Sequence, residues 1–151
     1  MPNYFAELRN DQNFDPNDIE DLELIGEENH SYLQESIAYR PEFVPYFMSK
    51  SKNIDHQDDN GQTALQYMIS RSMFEFAEDL LKKGASISLI DKYGNDALWT
   101  SVLNPRPNIK LIKALVELGA NPTRKNLAGR SSLDMARTKN NKAMLDIFGE
   151  Q

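Results

Sequence analysis

Two glycine-containing loops that lie 33 residues apart constrain the fold of this chain more than any other feature. Residues 58–65 read DDNGQTAL, and residues 91–98 repeat the pattern as DKYGNDAL. In both copies an apolar segment with helical spacing follows the loop glycine, Gly61 or Gly94. A fixed period of this length is typical of a chain that stacks one structural unit on the next.

The unit between these loops is predicted to contain two helices and a glycine stop. Its second apolar segment places Phe76, Ala77, Leu80 and Leu81 on one helical face. Gly84 follows this segment and can adopt the left-handed conformation that ends a helix. The next unit repeats the plan but ends at Gly119, which lies 35 residues after Gly84. We place the two extra residues at 104–107 (NPRP), between the helices, where prolines are tolerated.

Weaker copies of the unit lie at both ends of the chain. Downstream, Gly129 marks a third loop at 126–130, and 143–148 is predicted to form a closing helix. Upstream, Ser31-Tyr32-Leu33 aligns with 63–65, and Asn29 takes the place of Gly61. The sequence therefore predicts four units at approximately 29–57, 58–90, 91–125 and 126–151.

These motifs resemble the ankyrin repeat. The resemblance covers residues 29–148 and is strongest from Asp58 to Ala120. The family pattern T-P-L-H-x-A is reduced to TALQ at 63–66, DALW at 96–99 and SSLD at 131–134, which all lack the proline and the histidine but keep the leucine. The resemblance implies an all-α, ankyrin-like repeat solenoid. Another array of helical hairpins or an irregular helical bundle is the alternative.

An acidic lead, residues 1–28, precedes the repeats. Residues 1–75 hold 5 Lys/Arg and 15 Asp/Glu, whereas residues 76–151 hold 12 and 8. Eight of the acids, and no basic residue, lie between Asp11 and Glu28. Ile19, Leu22 and Ile25 follow a start signal at 15–18 (DPND) with spacing i, i+3, i+6, which predicts an acidic capping helix. This segment is either a solvated cap or a surface for a basic partner.

The residues do not assemble a recognisable catalytic, metal or cofactor site. The chain has no cysteine and 2 histidines, and it has no metalloprotease, nucleophile-elbow or phosphate-loop motif. A calcium loop starting at His56 fails because Tyr67 holds the twelfth position, where glutamate is required. We therefore predict a protein that is not an enzyme and that needs no metal or cofactor.

Nucleic-acid and membrane partners are also unsupported. The basic residues near the C-terminus (Arg124, Lys125, Arg130, Arg137, Lys139, Lys142) have no aromatic residues between them for base stacking. No apolar run reaches the roughly 20 residues that span a bilayer, and no signal peptide is visible. These features and the absence of cysteine favour a cytoplasmic protein.

The ankyrin resemblance implies a binding surface formed by loop tips and inner helices. The residues at those positions are Asp59, Asn60 and Gln62, then Lys92, Tyr93 and Asn95, then Leu127 and Arg130, with Ser70, Arg71, Leu103 and Asn104 at the inner-helix ends and Trp99 in the third unit. We expect Tyr93, at a loop tip, to contact a partner, although packing on the next loop is the alternative. Trp99 holds the place of the motif histidine, which also fits stacking between units.

The sequence therefore predicts non-enzymatic recognition of another protein, as a monomer or within a hetero-complex. One hypothesis is an inhibitor that neutralises a basic toxin or enzyme, because the chain is small and acidic and resembles short bacterial ankyrin proteins, some of which are immunity proteins. The other hypothesis is an adaptor or scaffold that links larger assemblies.

Overall fold

The computed structural model describes residues 2–150, and all regular elements in that range are helical. The α-helices are α1 (Tyr4–Asn10), α2 (Tyr32–Tyr39), α3 (Val44–Lys50), α4 (Ala64–Ser70), α5 (Phe74–Lys82), α6 (Ala97–Leu103), α7 (Ile109–Glu117), α8 (Ser132–Thr138) and α9 (Lys142–Ile147). Short 3-10 helices cover Pro16–Asp18, Glu27–Asn29 and Pro41–Phe43. Between residues 2 and 150 there is no β-strand, only an isolated bridge between Lys125 and Ser131.

Consecutive helices form four hairpins that stack side by side. The pairs are α2 with α3, α4 with α5, α6 with α7 and α8 with α9, and the inner helices α2, α4, α6 and α8 each pack on the next. Buried apolar side chains form one continuous core from Leu8 to Met144. The all-helical repeat solenoid predicted from the period is confirmed.

The helix starts explain why the repeats share a local shape. Ser31, Thr63, Asp96 and Ser131 each accept a hydrogen bond from the backbone N–H three residues later. In three of these the third residue returns a side-chain hydrogen bond to the cap, which satisfies two free N–H groups at once. The first hydroxyl or carboxylate of each motif thus sets where the inner helix begins.

The predicted apolar faces of the outer helices pack on the core, although Phe76 and Leu81 of α5 are only partly buried. Ala77 and Leu80 of α5 are fully buried, and so are Leu111, Ile112 and Leu115 of α7. At the ends of these helices Gly84 and Gly119 have φ of 91° and 104°. This left-handed conformation turns the chain back toward the next loop.

The prediction of an acidic capping helix over Ile19–Ile25 is wrong. The helix that caps the stack is α1, which packs on α2, and residues 19–26 are not helical. Carboxylates of the lead instead accept hydrogen bonds from N–H groups two residues ahead: Asp11 from Asn13, Asp15 from Asn17 and Asp21 from Glu23. Such local turns compete with the helical ladder.

Candidate functional site

The three predicted loops are built on one pattern of hydrogen bonds. In the first, the Asp58 N–H donates to Gln62 O at 3.1 Å and the Gly61 N–H donates to Asp58 O at 2.8 Å. Asp58 Oδ1 accepts from the N–H groups of Asn60 and Gln62 at 2.9 and 3.0 Å. The loops of Asp91 and Asn126 repeat these bonds. An internal side-chain acceptor therefore holds each loop in a defined conformation.

Backbone hydrogen bonds join each loop to the one before it. The N–H groups of Asp59, Lys92 and Leu127 donate to the carbonyls of Glu28, Asn60 and Tyr93 at 3.1, 2.9 and 3.0 Å. This ladder aligns the tips in a row. The backbones of Tyr93 and Leu127, on adjacent loops, are consequently bonded directly to each other.

Glycine is required at two tips because the backbone there is left-handed and because the next loop lies too close to leave room for a side chain. Gly61 and Gly94 have φ of 74° and 78°. A Cβ added at Gly94 would lie 3.0 Å from Leu127 N, and one at Gly61 would lie 3.0 Å from Asp91 Cα. Asn29, which the sequence aligned with Gly61, also has a positive φ of 59°, a conformation that asparagine tolerates better than most residues.

The tips present exposed side chains from neighbouring loops. The tip residues named from the sequence form what we term the loop-tip surface: Asp59, Asn60, Gln62, Lys92, Tyr93, Asn95, Leu127 and Arg130. Tyr93 is 60% exposed and Leu127 is 79% exposed. Lys92 Nζ donates to Asn60 Oδ1 at 2.7 Å and lies 5.2 Å from the Tyr93 ring centroid. The structure thus brings one aromatic, one aliphatic and one cationic side chain together.

Two members of this surface, Asn60 and Asn95, also hold the loops together. Asn60, Gln62 and Asn95 are half-buried rather than fully exposed. Asn60 accepts from Lys92, and Asn95 Oδ1 accepts from Asn126 Nδ2 at 2.8 Å. Substitution of either asparagine would disturb the tips as well as any contact that they make.

The inner-helix ends are only partly available, and Asn104 must be removed from the candidate set. Ser70, Arg71 and Leu103 are exposed, whereas Asn104 is 5% exposed. Asn104 Nδ2 donates to Ile69 O at 2.9 Å and to a serine hydroxyl, Ser72 Oγ, at 3.1 Å. The insertion turns this amide inward, where it satisfies polar groups between the second and third repeats.

Trp99 is half-buried, and it holds the position at which the first two repeats have a glutamine that hydrogen-bonds to the next loop. At the corresponding positions, Gln34 Nε2 donates to Gln62 O at 2.8 Å and Gln66 Nε2 donates to Asn95 O at 2.9 Å. The third repeat lacks such a glutamine, and there Arg124 Nη1 donates to Gly94 O at 2.9 Å. Aromatic pairs in residues 2–150 do not include Trp99, so ring stacking between repeats does not account for it.

A buried polar network at the start of the stack was missed by the sequence reasoning. His30 Nδ1 lies 3.1 Å from Glu35 Oε1, and its Nε2 lies 3.2 Å from Asp58 Oδ2. Arg9 donates to both oxygens of Glu35, at 3.0 and 2.6 Å. Burial and a hydrogen bond to Asp58 raise the pKa of the Tyr67 hydroxyl. The network links α1 to the first two repeats, and only the tertiary fold brings its members together.

The basic side chains near the C-terminus are largely engaged within the molecule. Lys139 Nζ donates to Val102 O at 2.6 Å, at the carbonyl end of α6, where a cation is favourable. Arg137 pairs with Glu150. These contacts fit a capping face for the last repeat.

Residues 2–150 contain no group of three or more His, Asp or Glu side chains placed to hold a metal ion. Between Pro2 and Glu150 there is also no helix with the length and apolarity needed to cross a bilayer.

Comparisons with known proteins agree with this geometry. A family model described as ankyrin repeats (3 copies) matches residues 33–126. An ankyrin repeat protein of Acanthamoeba polyphaga mimivirus is 39% identical over 48% of this chain and 17% of its own length. Human BCL-6 corepressor-like protein 1 is 29% identical over 72% of this chain and 6% of its own length. Intracellular phospholipase A2 of Caenorhabditis elegans is 31% identical over 64% of this chain and 10% of its own length.

This chain therefore spans less than a fifth of the length of each of these relatives. What they share with it is the repeat region. Ankyrin repeats are protein–protein interaction modules and are generally not enzymes. The stacked hairpins, the glycine loops and the matched residues 33–126 show that the chain belongs to the ankyrin-repeat family.

Proposed function

We propose that this protein binds one partner protein through the loop-tip surface and the adjoining concave face, and that binding inhibits the partner. The observation that supports this most directly is the exposure of Tyr93 and Leu127 on adjacent, hydrogen-bonded loops. Large side chains in water on rigid backbone are typical of interface anchors.

The rigidity of the tips favours tight binding. Immobilising loops and side chains on association costs free energy, and backbone that is already held avoids part of that cost. Tyrosine adds contact area with few rotatable bonds. Tyr93 therefore offers a partner an aromatic anchor, and Lys92 beside it offers a cation.

The charge of the chain supports a basic partner. The net charge is −6, and the first 75 residues hold 15 acids against 5 basic residues. A field of this sign accelerates association with a positive surface and slows association with nucleic acid. We propose a basic toxin or enzyme in the cytoplasm as the partner, with this chain acting as its immunity protein.

A groove that is separate from the loop-tip surface favours the alternative hypothesis of an adaptor. It lies between the outer helices α5 and α7, has a volume of about 360 Å³, and is lined by Leu81, Ala114 and Leu118 among charged residues. Leu118 is 56% exposed. An adaptor needs two separate surfaces, and this groove lies on the outer helices rather than on the loop tips.

Binding by matched variants tests the proposed surface. The full chain would be used to capture its partner from the host, and the purified partner would then be titrated. Tyr93→Ala with Leu127→Ala should weaken binding by about 100-fold, because hot-spot truncations typically cost about 2 kcal/mol or more. The control, Tyr39→Ala with Leu118→Ala, removes the same residue types from other exposed sites. Equal losses in the two double variants would contradict the proposal.

Activity of the purified partner separates inhibitor from adaptor. An inhibitor should abolish the partner's activity at one equivalent of this chain. Full activity in a saturated complex would refute inhibition. Recruitment of a third protein that depends on Leu118 would then establish the adaptor alternative.

A further inference from the structure

A groove at the N-terminal end of the stack is separate from the loop-tip surface. It has a volume of about 550 Å³ and lies between the start of α1, residues 20–25 of the acidic lead, and Tyr32 of α2. Its lining includes Tyr4, Phe5, Tyr32, Glu20, Asp21 and Leu24. Aromatic rings thus share one cavity with two carboxylates.

The aromatic part of the groove is rigid. The Phe5 ring stacks on Tyr32 with centroids 4.0 Å apart and an interplanar angle of 8°. Tyr32 stacks in turn on Phe47 in the core. A Cβ at Gly26 would lie 2.6 Å from Phe5 Cδ1, so the backbone of the lead closes over the ring.

The carboxylates of the groove have no cationic partner in the described chain. Glu20 and Asp21 are exposed, and no lysine or arginine lines the groove. Ion pairs among residues 2–150 involve neither of them. Burial and then Glu20, Glu7 and Asp18 raise the pKa of the Tyr4 hydroxyl, which indicates a negative potential at that ring.

We propose that this groove is a docking site for a lysine- or arginine-bearing segment of a partner protein. Because Phe5 and Tyr32 stack on each other and are covered by Gly26 and Phe47, the half-buried Tyr4 is the ring that remains for a cation, which its quadrupole attracts. The two carboxylates add Coulombic attraction. The aliphatic stem of such a side chain packs against apolar residues such as Leu24. Lys92 over Tyr93 and Arg9 over Tyr39 show the same cation–ring contact within this molecule.

The charge around the groove selects this occupant. A carboxylate-bearing or nucleic-acid ligand would face repulsion from Glu20 and Asp21, and a wholly apolar segment would leave both charges partly desolvated. A basic protein segment satisfies the Tyr4 ring and the two charges together. This proposal does not depend on the loop-tip surface.

The test is an NMR titration of the full ¹⁵N-labelled chain with a blocked hexapeptide of alternating alanine and lysine. Saturable amide shifts should appear at Phe5, Asp21 and Leu24 and not at Tyr93. Glu20→Gln with Asp21→Asn should weaken binding by about 10-fold, and Tyr4→Leu by about 3-fold. Asparagine at 21 keeps the acceptor for the Glu23 N–H.

A matched variant separates a docking site from general charge attraction. Glu75→Gln with Asp79→Asn removes the same charge from exposed positions on α5 and should leave the peptide affinity unchanged. Equal weakening in both variants, or shifts spread over all acidic segments, would overturn the proposal. Tyr93→Ala with Leu127→Ala should leave the titration unchanged, so failure here and failure of the loop-tip surface are distinguishable.

A second copy of this chain is the competing occupant, because residues 76–151 carry an excess of basic residues. Sedimentation velocity of the free protein tests this directly. A monomer at all concentrations supports a separate partner. A concentration-dependent dimer that Glu20→Gln with Asp21→Asn abolishes would overturn the proposal.

Discussion

Replacing the loop glycine Gly94 with alanine tests the loop ladder that carries the proposed binding surface. At φ 78° an L-residue is strained by about 1–2 kcal/mol. The lower entropy of the unfolded alanine chain offsets about 0.4–1 kcal/mol of this. The new Cβ would also lie 3.0 Å from Leu127 N and 3.2 Å from Leu127 Cγ, which displaces the amide that donates to Tyr93 O. Loss of that hydrogen bond adds about 0.5–1.5 kcal/mol.

Gly129→Ala is the matched control, because Gly129 has a similar φ of 75° and a Cβ there would meet nothing within 4 Å. We therefore expect Gly129→Ala to destabilise by about 1 kcal/mol and Gly94→Ala by about 2–3 kcal/mol. The difference between them isolates the contact between adjacent loops. The shared backbone strain cancels.

Urea unfolding followed by circular dichroism and by fluorescence of the single tryptophan, Trp99, measures both values. Coincident transitions would justify a two-state analysis, and equal m-values would show that the two variants unfold to similar states. Equal destabilisation by Gly94→Ala and Gly129→Ala would refute the loop ladder.

Three further predictions concern stability. Gln66→Ala should cost about 2 kcal/mol in urea unfolding, because it leaves the Thr63 N–H unpaired and removes the bond between repeats to the Asn95 carbonyl, which keeps only the bond from the Asp91 N–H; a cost below about 0.5 kcal/mol would contradict the bond between repeats. Asn104→Ala should cost a similar amount by removing the hydrogen bonds that Asn104 Nδ2 donates to Ile69 O and Ser72 Oγ, yet leave the partner affinity unchanged in a binding titration. Burial raises the pKa of Tyr32 from 10.0 to about 12, so the unfolded state loses this proton first and the free energy of unfolding should fall between these pH values. Tyr32→Phe should reduce the slope of the unfolding free energy against pH by about 1.4 kcal/mol per pH unit. An unchanged slope would contradict the raised pKa of Tyr32.

The repeat architecture was predictable because its signals are local and recur at fixed spacing. Gly61 and Gly94 mark positions where only a left-handed backbone closes the loop, so the period appears directly in the sequence. Asn29, which aligns with Gly61, adopts the same left-handed conformation without being glycine. The caps at Thr63 and Ser131 also act within three residues, although we did not predict them from the sequence.

The N-terminal cap was not predictable from spacing alone. Ile19, Leu22 and Ile25 have helical spacing, but a helix there would compete with turns made by Asp15 and Asp21. Ile19 is buried and Ile25 is exposed, so the lead covers the stack as an irregular segment. The stabilising contacts lie between distant residues, which a periodic pattern does not report.

The candidate site was predictable in position but not in detail. The resemblance identified Tyr93 and Leu127, which are exposed. It did not reveal that Asn104 turns inward, because the two-residue insertion changes the local register. The network of Arg9, Glu35 and His30 depends on residues up to 26 positions apart, so no sequence signal could have assembled it.

The central claim is that the loop tips contact the partner, and hydrogen–deuterium exchange of the free and partner-bound chain tests it most directly. Binding should slow exchange in peptides that cover 91–98 and 124–131, with the outer helices α5 and α7 unchanged. Protection confined to α5 and α7, with both loop peptides unaffected, would contradict the account.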